Sequence, residues 1–285
     1  MRRLLCLLGL VCLTACGEPS PEQPGTAERA DAVRASAARW LWAHQASDGG
    51  WHSTQYGLLR SGQSLTPLVL DALLTVPEEV VPRHEALVHR ALRFLVTHVD
   101  ETGMLGRAPG ASVDYPSYAT ALALGLIRRE IDRTALADRM RNALLARQFK
   151  ETLGWERAHP AFGAWGMGAE RPRPPQPGHL DLSMTRYVLE ALENESGPGV
   201  EAARERARTF LSRCRAKDGG YFFSTVRTDM NKAGTLAGGS FRAYGTATAD
   251  GILAAWTLAR HDADAGLDRA YAWLLAHHRV DVVPG

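Results

Sequence analysis

The segment Gln45-Ala-Ser-Asp-Gly-Gly-Trp51 recurs in degenerate form, and that recurrence restricts the fold more than any other feature of the chain. Arg215-Ala-Lys-Asp-Gly-Gly-Tyr221 repeats its second half nearly letter for letter. Weaker echoes stand at Asp100-Glu-Thr-Gly-Met104 and at Lys150-Glu-Thr-Leu-Gly-Trp155. Read this way, Gly49, Gly103, Gly154 and Gly219 are spaced by 54, 51 and 65 residues. A period near 50, with helical sequence on either side, predicts a repeated helical hairpin. The repeated residues suit the closing of such a hairpin. Gly49 and Gly50 permit a tight reversal, and Trp51 then folds back over the helix end. The Gln45 amide serves orphan backbone groups, and Asp48 accepts from the turn amides. Asp218, Gly219 and Tyr221 are expected to act in the same way.

Apolar residues at helical spacing mark a first helix over about Ala32–His44, with Val33, Ala37, Trp40 and Leu41 on one face and Asp31 as its N-cap. Thr66-Pro67 reads as N-cap plus N1 proline of a more apolar helix running through Val76. The pair, amphipathic then apolar, recurs three times. Outer-type helices are expected over His84–Val99, Arg133–Phe149 and Val200–Ala216, and inner-type helices over Pro116–Arg128, Asp181–Glu193 and Thr246–Arg260. A last amphipathic segment, about Ala265–His278, has no successor. Strand signals are scarce; the best, Tyr221-Phe-Phe-Ser-Thr225, sits in a loop. The fold expected is all-α, with the charge-rich first helices facing solvent and the second ones lining a centre. Four and a half hairpins leave an apolar edge, and burying such surface is worth about 25 cal/mol per Å². The ring is then incomplete in this chain, or a protein partner covers the last helix, or loops close the gap.

The ends of the chain carry separate information. Arg2 and Arg3 precede an apolar run from Leu4 to Leu13, too short to span a bilayer. It closes in Leu13-Thr14-Ala15-Cys16, which resembles the bacterial lipobox. That resemblance implies a signal peptide over 1–15, cleavage before Cys16 and lipid on its thiol. Residues 16–30, rich in Pro, Gly and Glu, are expected to form a flexible tether, and 31–285 the folded domain. By resemblance to the usual sorting rule, Gly17 after the lipidated Cys16 fits delivery to an outer membrane facing the periplasm. Without Arg2 and Arg3, the 33 Lys+Arg of the whole chain fall to 31, against 31 Asp+Glu. A formally neutral chain with no basic stripe excludes nucleic acid as a partner. Cys6 and Cys12 leave with the signal, so Cys214 is the lone free thiol. Its helical spacing from Phe210 predicts a buried structural residue.

Gln45-x-x-x-Gly49-x-Trp51 is similar to the QW repeat of squalene–hopene and oxidosqualene cyclases. Asp218-Gly-Gly-Tyr221 resembles the equivalent turn of the wider terpene cyclase and protein prenyltransferase superfamily. The inner helix starts, Asp181-Leu-Ser-Met-Thr185 and Gly245-Thr-Ala-Thr248, resemble those of bacterial proteins carrying squalene-cyclase-type repeats. The likeness spans roughly residues 30–280 and implies an α/α toroid, paired helices around a central cavity. It does not bring the chemistry with it. The Asp-x-Asp-Asp motif of class II cyclases is absent, and no Asp, Cys and His set matches the prenyltransferase zinc site.

Other chemistry is tested residue by residue. His84 and His89 are five apart and point about 140° away from each other, and the adjacent His277 and His278 diverge by about 100°, so neither pair makes a zinc helix. No metal or cofactor is expected. Acidic candidates are Asp114, Asp181 and Asp250. Asp181 is expected to cap its helix, with Ser183 and Thr185 in the first turn. Asp250 lies one turn inside an apolar helix, where a charge needs an arginine partner or a wet cavity. Facing one cavity, Asp181 and Asp250 would form an acid/base pair of glycosidase type. Aromatic residues crowd the outer-to-inner loops, as a plug of the ring end or as the mouth of a pocket. Tyr115, Trp165, Tyr187, Phe223 and Tyr244 are the ligand-binding candidates. Residues 150–180, with five prolines, form the longest insertion and a candidate lid.

The sequence thus points to a lipid-anchored protein of the bacterial cell envelope. Its helical domain would bind an apolar, peptide or glycan ligand at the aromatic end, without cyclase or prenyltransferase activity. The alternative is an enzyme using Asp181 and Asp250 on an isoprenoid or glycan.

Overall fold

Amphipathic and apolar segments alternate along the chain, and each becomes one helix because its apolar residues follow the 3.6-residue turn. The structure is a computed structural model that describes residues 26–107, 113–259, 266–279 and 281–283. Among these residues the protein is all-α. In chain order the helices are α1 (Thr26–Ala43), α2 (Leu65–Leu74), α3 (Glu85–His98), α4 (Pro116–Glu130), α5 (Thr134–Leu145), α6 (Leu182–Ala191), α7 (Pro198–Cys214), α8 (Gly245–Ala259) and α9 (Leu267–Ala276). Three isolated bridges are the only extended pairing among the described residues, one of them between Arg215 and Tyr221.

Three boundaries differ from expectation. Asp31 does not cap α1, because the helix already includes Thr26–Ala30, part of the segment expected as tether. Ala27, Glu28, Arg29 and Ala30 are all good helix formers, and Asp31 instead pairs with Arg34 on the helix surface at 2.6 Å. Thr66 does not cap α2, which starts at Leu65. Its hydroxyl is engaged elsewhere, as described below. Helix α5 stops at Leu145, and Gln148 and Phe149 belong to the turn that follows. Cys16 and the segment expected as signal peptide lie outside the described residues. Among those residues no helix is long and apolar enough to cross a membrane.

The helices form two rows. Each of α2, α4, α6 and α8 packs against the next, and α1, α3, α5, α7 and α9 flank them. The core runs between the rows, with Leu70, Leu95, Leu124, Leu144, Val188, Phe210 and Ala254 among its buried members.

One device is built four times. The backbone amide after each turn donates to a threonine in the following inner helix: Trp51 to Thr66 at 2.9 Å, Leu105 to Thr120 at 2.9 Å, Trp165 to Thr185 at 3.1 Å and Tyr221 to Thr248 at 3.0 Å. The turn glycines are Gly49, Gly103, Gly163 and Gly219, with φ between +87° and +99°. A Cβ on each would press on a carbonyl of the next outer helix, that of Arg90, Arg139, Arg206 or Arg269. Positive φ and close approach together exclude other residues here. Turn and helix are thereby locked across the outer row, and α9 supplies the carbonyl that closes the fourth turn. It also anchors that turn through Trp273, whose Nε1 donates to Asp218 at 2.9 Å.

The third turn corrects the sequence reading, which placed it at Gly154-Trp155. Gly163 N donates to Phe149 O, and Phe149 N donates to Ala164 O. Gly49 with Ala46 and Gly219 with Ala216 make the same pair of bonds, so Gln148 is the counterpart of Gln45. Both amides bond their turn glycine carbonyl and one carbonyl of the next outer helix. Trp51 and Trp165 likewise send their indole N–H to Leu41 O and Leu144 O, both at 2.8 Å. Eleven extra residues separate Phe149 from Gly163 relative to the other turns. With Gly163 restored, the turn glycines fall 54, 60 and 56 residues apart. Trp155 belongs to the inserted segment, where it is buried against Phe149.

Candidate functional site

A concavity of about 910 Å³ draws on all four inner helices. Its walls come from Asp71 near the end of α2, from 121–129 of α4, from Tyr187 to Ser196 of and after α6, and from Leu253, Trp256 and Thr257 of α8. These are the C-terminal halves of the helices, whereas the four threonines of the turn device lie at the N-terminal ends. The inner helices therefore run parallel, and the row curves enough for α2 and α8 to face one space. The volume falls in the usual range for small-ligand sites, roughly 300–1,000 Å³.

Aromatic and charged groups share this space. Trp256 is 58% exposed on α8, beside Leu253. Tyr187 stands edge-on to Tyr118, ring centroids 4.5 Å apart, and the Arg186 guanidinium lies 3.5 Å over its ring. The charges are tied to each other. Arg128 and Arg141 each pair with both Asp138 and Glu195, at 2.7 to 3.1 Å, in a closed four-membered ring that joins α4, α5 and the turn after α6. Arg129 pairs with Asp71 at 2.5 Å, bridging α4 to α2. The Arg128 pairing holds the Asp138 carboxyl below its ordinary range. The lining holds five carboxylates against three guanidiniums. Four helix C-termini add partial negative charge at the same end.

The residues singled out from sequence fall in several places. Asp181 is spent on structure: only 1% exposed, it accepts from Met184 N at 2.8 Å as the N-cap of α6 and from the His179 ring at 2.8 Å. Asp250 is half-buried on α8, ion-paired with Arg186 at 2.9 Å and accepting from the Ser183 hydroxyl. Burial pushes its carboxyl up; Ser183 and Arg186 pull it down, and the nearby Asp181 charge raises it again. Neither carboxylate lines the concavity. Asp114 is fully buried before α4, where Oδ2 accepts from the Ser61 hydroxyl at 2.6 Å and Ser64 N at 3.2 Å.

Of the five aromatic candidates, Tyr187 lines the concavity and the others do not. Trp165 is fully buried in its turn. Tyr244 is buried, its hydroxyl pushed up to about 12 by desolvation and by the Asp250 and Asp181 charges. Tyr115 is the N-cap of α4, with φ +42°. Phe223 is half-buried, its amide donating to Asn231. Trp165 and Tyr244 are thus buried at the N-terminal ends of the inner helices, whereas the concavity opens at the opposite end. Sequence reasoning missed Trp256 and the Arg128–Glu195 ring. Trp256 was detectable as the lone large aromatic within the apolar α8 segment; the ring was not, because Glu195 is 54 residues from Arg141 and 67 from Arg128.

Cys214 is buried on α7 with its thiol pushed up by desolvation, as a structural residue should be. Among the described residues no three His, Cys, Asp or Glu side chains gather as a metal site would require.

No protein-family model matches the chain, and no curated protein matches it. Among solved structures it is similar to a crystal structure of a protein from Actinoplanes, with 20% sequence identity and a TM-score of 0.54. The match covers 89% of this chain and 67% of that one. At such identity the likeness concerns the fold alone.

Proposed function

We propose that this chain is a cell-envelope binding module, anchored through lipid on Cys16, whose curved double row of helices is part of an α/α toroid. Its ligand is a peptide segment carrying apolar and basic side chains, held in the central concavity. The observation that carries this reading is the exposed Trp256 ring within an acid-rich space built by all four inner helices. An exposed indole gives stacking area and a cation–π face. The excess of carboxylates and the four helix C-termini favour a cationic side chain beside it. In the lipid-anchored setting the concavity would face the periplasm from the outer membrane.

The enzyme reading has one observation in its favour, the raised Asp250 carboxyl near Asp181, a pattern seen in general acids. Against it, Asp181 is committed to its helix cap and Asp250 to Arg186, both outside the concavity. The test compares arrays of basic–apolar peptides and of oligosaccharides for binding to wild type and Trp256→Ala. Peptide binding that weakens about tenfold or more in the variant, with unchanged melting temperature, is expected, since a contact worth about 1.4 kcal/mol is tenfold in affinity. Binding confined to oligosaccharides, or indifferent to Trp256, would sink the peptide assignment.

A further inference from the structure

Arg147 and Arg204 are the two buried arginines of the described residues, 5% and 1% exposed, and they are satisfied differently. Arg204 pairs with the Glu201 carboxylate at 2.5 Å and caps the carbonyls of Leu192, Glu193 and Glu195. Arg147 meets only neutral oxygens: Gly168 O at 3.1 Å, Ala143 O at 3.2 Å and Thr102 Oγ1 at 3.5 Å. Its five N–H donors are thus incompletely used, and no carboxylate of the described residues pairs with it. Burying a cation without a directly paired counter-charge is costly.

The repeat shows that this charge is not needed for the turn. At the equivalent position, just before the turn residues, the first two outer helices carry His44 and His98, and α9 carries His277. Each bonds the carbonyl four residues back at 2.7 Å. Arg147 makes that same bond to Ala143 O, so a neutral ring could serve and the fixed charge is surplus. It is also placed beside open space. Arg147 lines both a cleft of about 630 Å³ under the 166–179 loop and one of about 390 Å³ against α5, and Arg171 lines both with it. Arg173 and His179 edge the first, with Glu170 as the acid there; Arg139 edges the second, with Asp138. Desolvation and then the Arg107 charge depress the Arg147 guanidinium; the Asp100 charge, itself paired with Arg107, raises it, and Arg171 depresses it again.

We propose that the cleft under the 166–179 loop, lined by Arg147 and Arg171, binds a phosphate group, carried by a small molecule or by a lipid headgroup. Phosphate rather than carboxylate suits the site because three arginines, Arg147, Arg171 and Arg173, line it, and a phosphate presents more acceptor oxygens to them. The 166–179 loop then acts as the wall that holds an anion against Arg147.

The test titrates the full chain with inorganic phosphate at constant ionic strength, and with phosphatidylcholine vesicles containing phosphatidylglycerol, at about pH 8, above the ordinary His value. The variants are Arg147→His, which keeps the capping bond found at the sibling positions, and the exposed Arg171→Gln, which does not endanger folding. Calorimetric binding of either probe by wild type, weakened about tenfold or more in both variants, is the expected result. Vesicle binding alone assigns the headgroup as source, and phosphate binding alone the small molecule. No binding of either probe, equal binding by the variants, or acetate binding as tight as phosphate overturns the proposal. Should Arg147→His unfold, Arg171→Gln decides by itself.

Discussion

The concavity at the C-terminal ends of the inner helices and the cleft under the 166–179 loop are both lined by arginines, yet their electrostatics are opposite in kind. In the concavity, Arg128, Arg129 and Arg141 are neutralised by carboxylates of the chain, and the aromatic Trp256 is what stands free for a ligand. In the cleft, Arg147 is buried among carbonyls, and no acid of the described residues forms an ion pair with it. A closed ion-pair ring has spent its Coulomb energy on holding α4, α5 and the post-α6 turn together. An unanswered guanidinium has not, so an arriving anion can still collect that energy. The same residue type therefore serves architecture at one end and recognition at the other.

The comparison breaks most severely at Gly163, the turn glycine just ahead of the 166–179 loop that walls the cleft. Its φ is +89°, and a Cβ would lie 1.9 Å from Arg206 O. Gly163→Ala is expected to lose about 3 kcal/mol or more in urea unfolding, since backbone strain and overlap add. A loss under about 1 kcal/mol would show that the third turn can be seated otherwise. Next comes Glu195→Gln, which opens the charge ring. Glu195 is the most buried member, and the two arginines are left sharing Asp138, so a loss of about 1 kcal/mol is expected. Arg147→His removes no ion pair and should cost less than Glu195→Gln; the reverse order, measured by thermal unfolding, would erase the distinction between the two sites.

The smallest effect concerns Asp250 and its pH dependence. A carboxyl whose folded pKa is raised binds its proton more tightly in the folded than in the unfolded state. Its contribution to stability is then fully present below the ordinary carboxylate range and is lost as pH rises through the raised value. Asn in its place removes that loss. The melting temperature of Asp250→Asn, relative to wild type, should rise as pH climbs through and above the carboxylate range. A gap that shrinks with rising pH would mean that the Arg186 pairing outweighs burial.

Much of the frame was legible in the residues. Among the described residues each expected helix is present, most ends within a few positions, because apolar spacing and helix propensity act locally; α1 begins six residues earlier than expected. Asp181 was read correctly as a cap, since capping needs only the three residues that follow it. Gly49, Gly103 and Gly219 were read correctly as turns. The third turn was not, because the string Leu153-Gly154-Trp155 mimics the motif while Gln148 and Gly163-Ala-Trp165 are split by inserted chain. The recurrent threonines Thr66, Thr120, Thr185 and Thr248, each at the start of an inner helix, were the signal that would have found it.

By itself the sequence determined an all-α chain of paired helices closed by glycine turns, because those features depend on interactions a few residues apart. Only the tertiary structure decided which glycine closes the third hairpin and which end of the inner row is open. It alone brought Arg186 to Asp250 and Glu195 to Arg128, and left Arg147 without an ion-paired carboxylate among the described residues. Such pairings join residues distant in sequence, and they are set by how helices pack rather than by any local pattern.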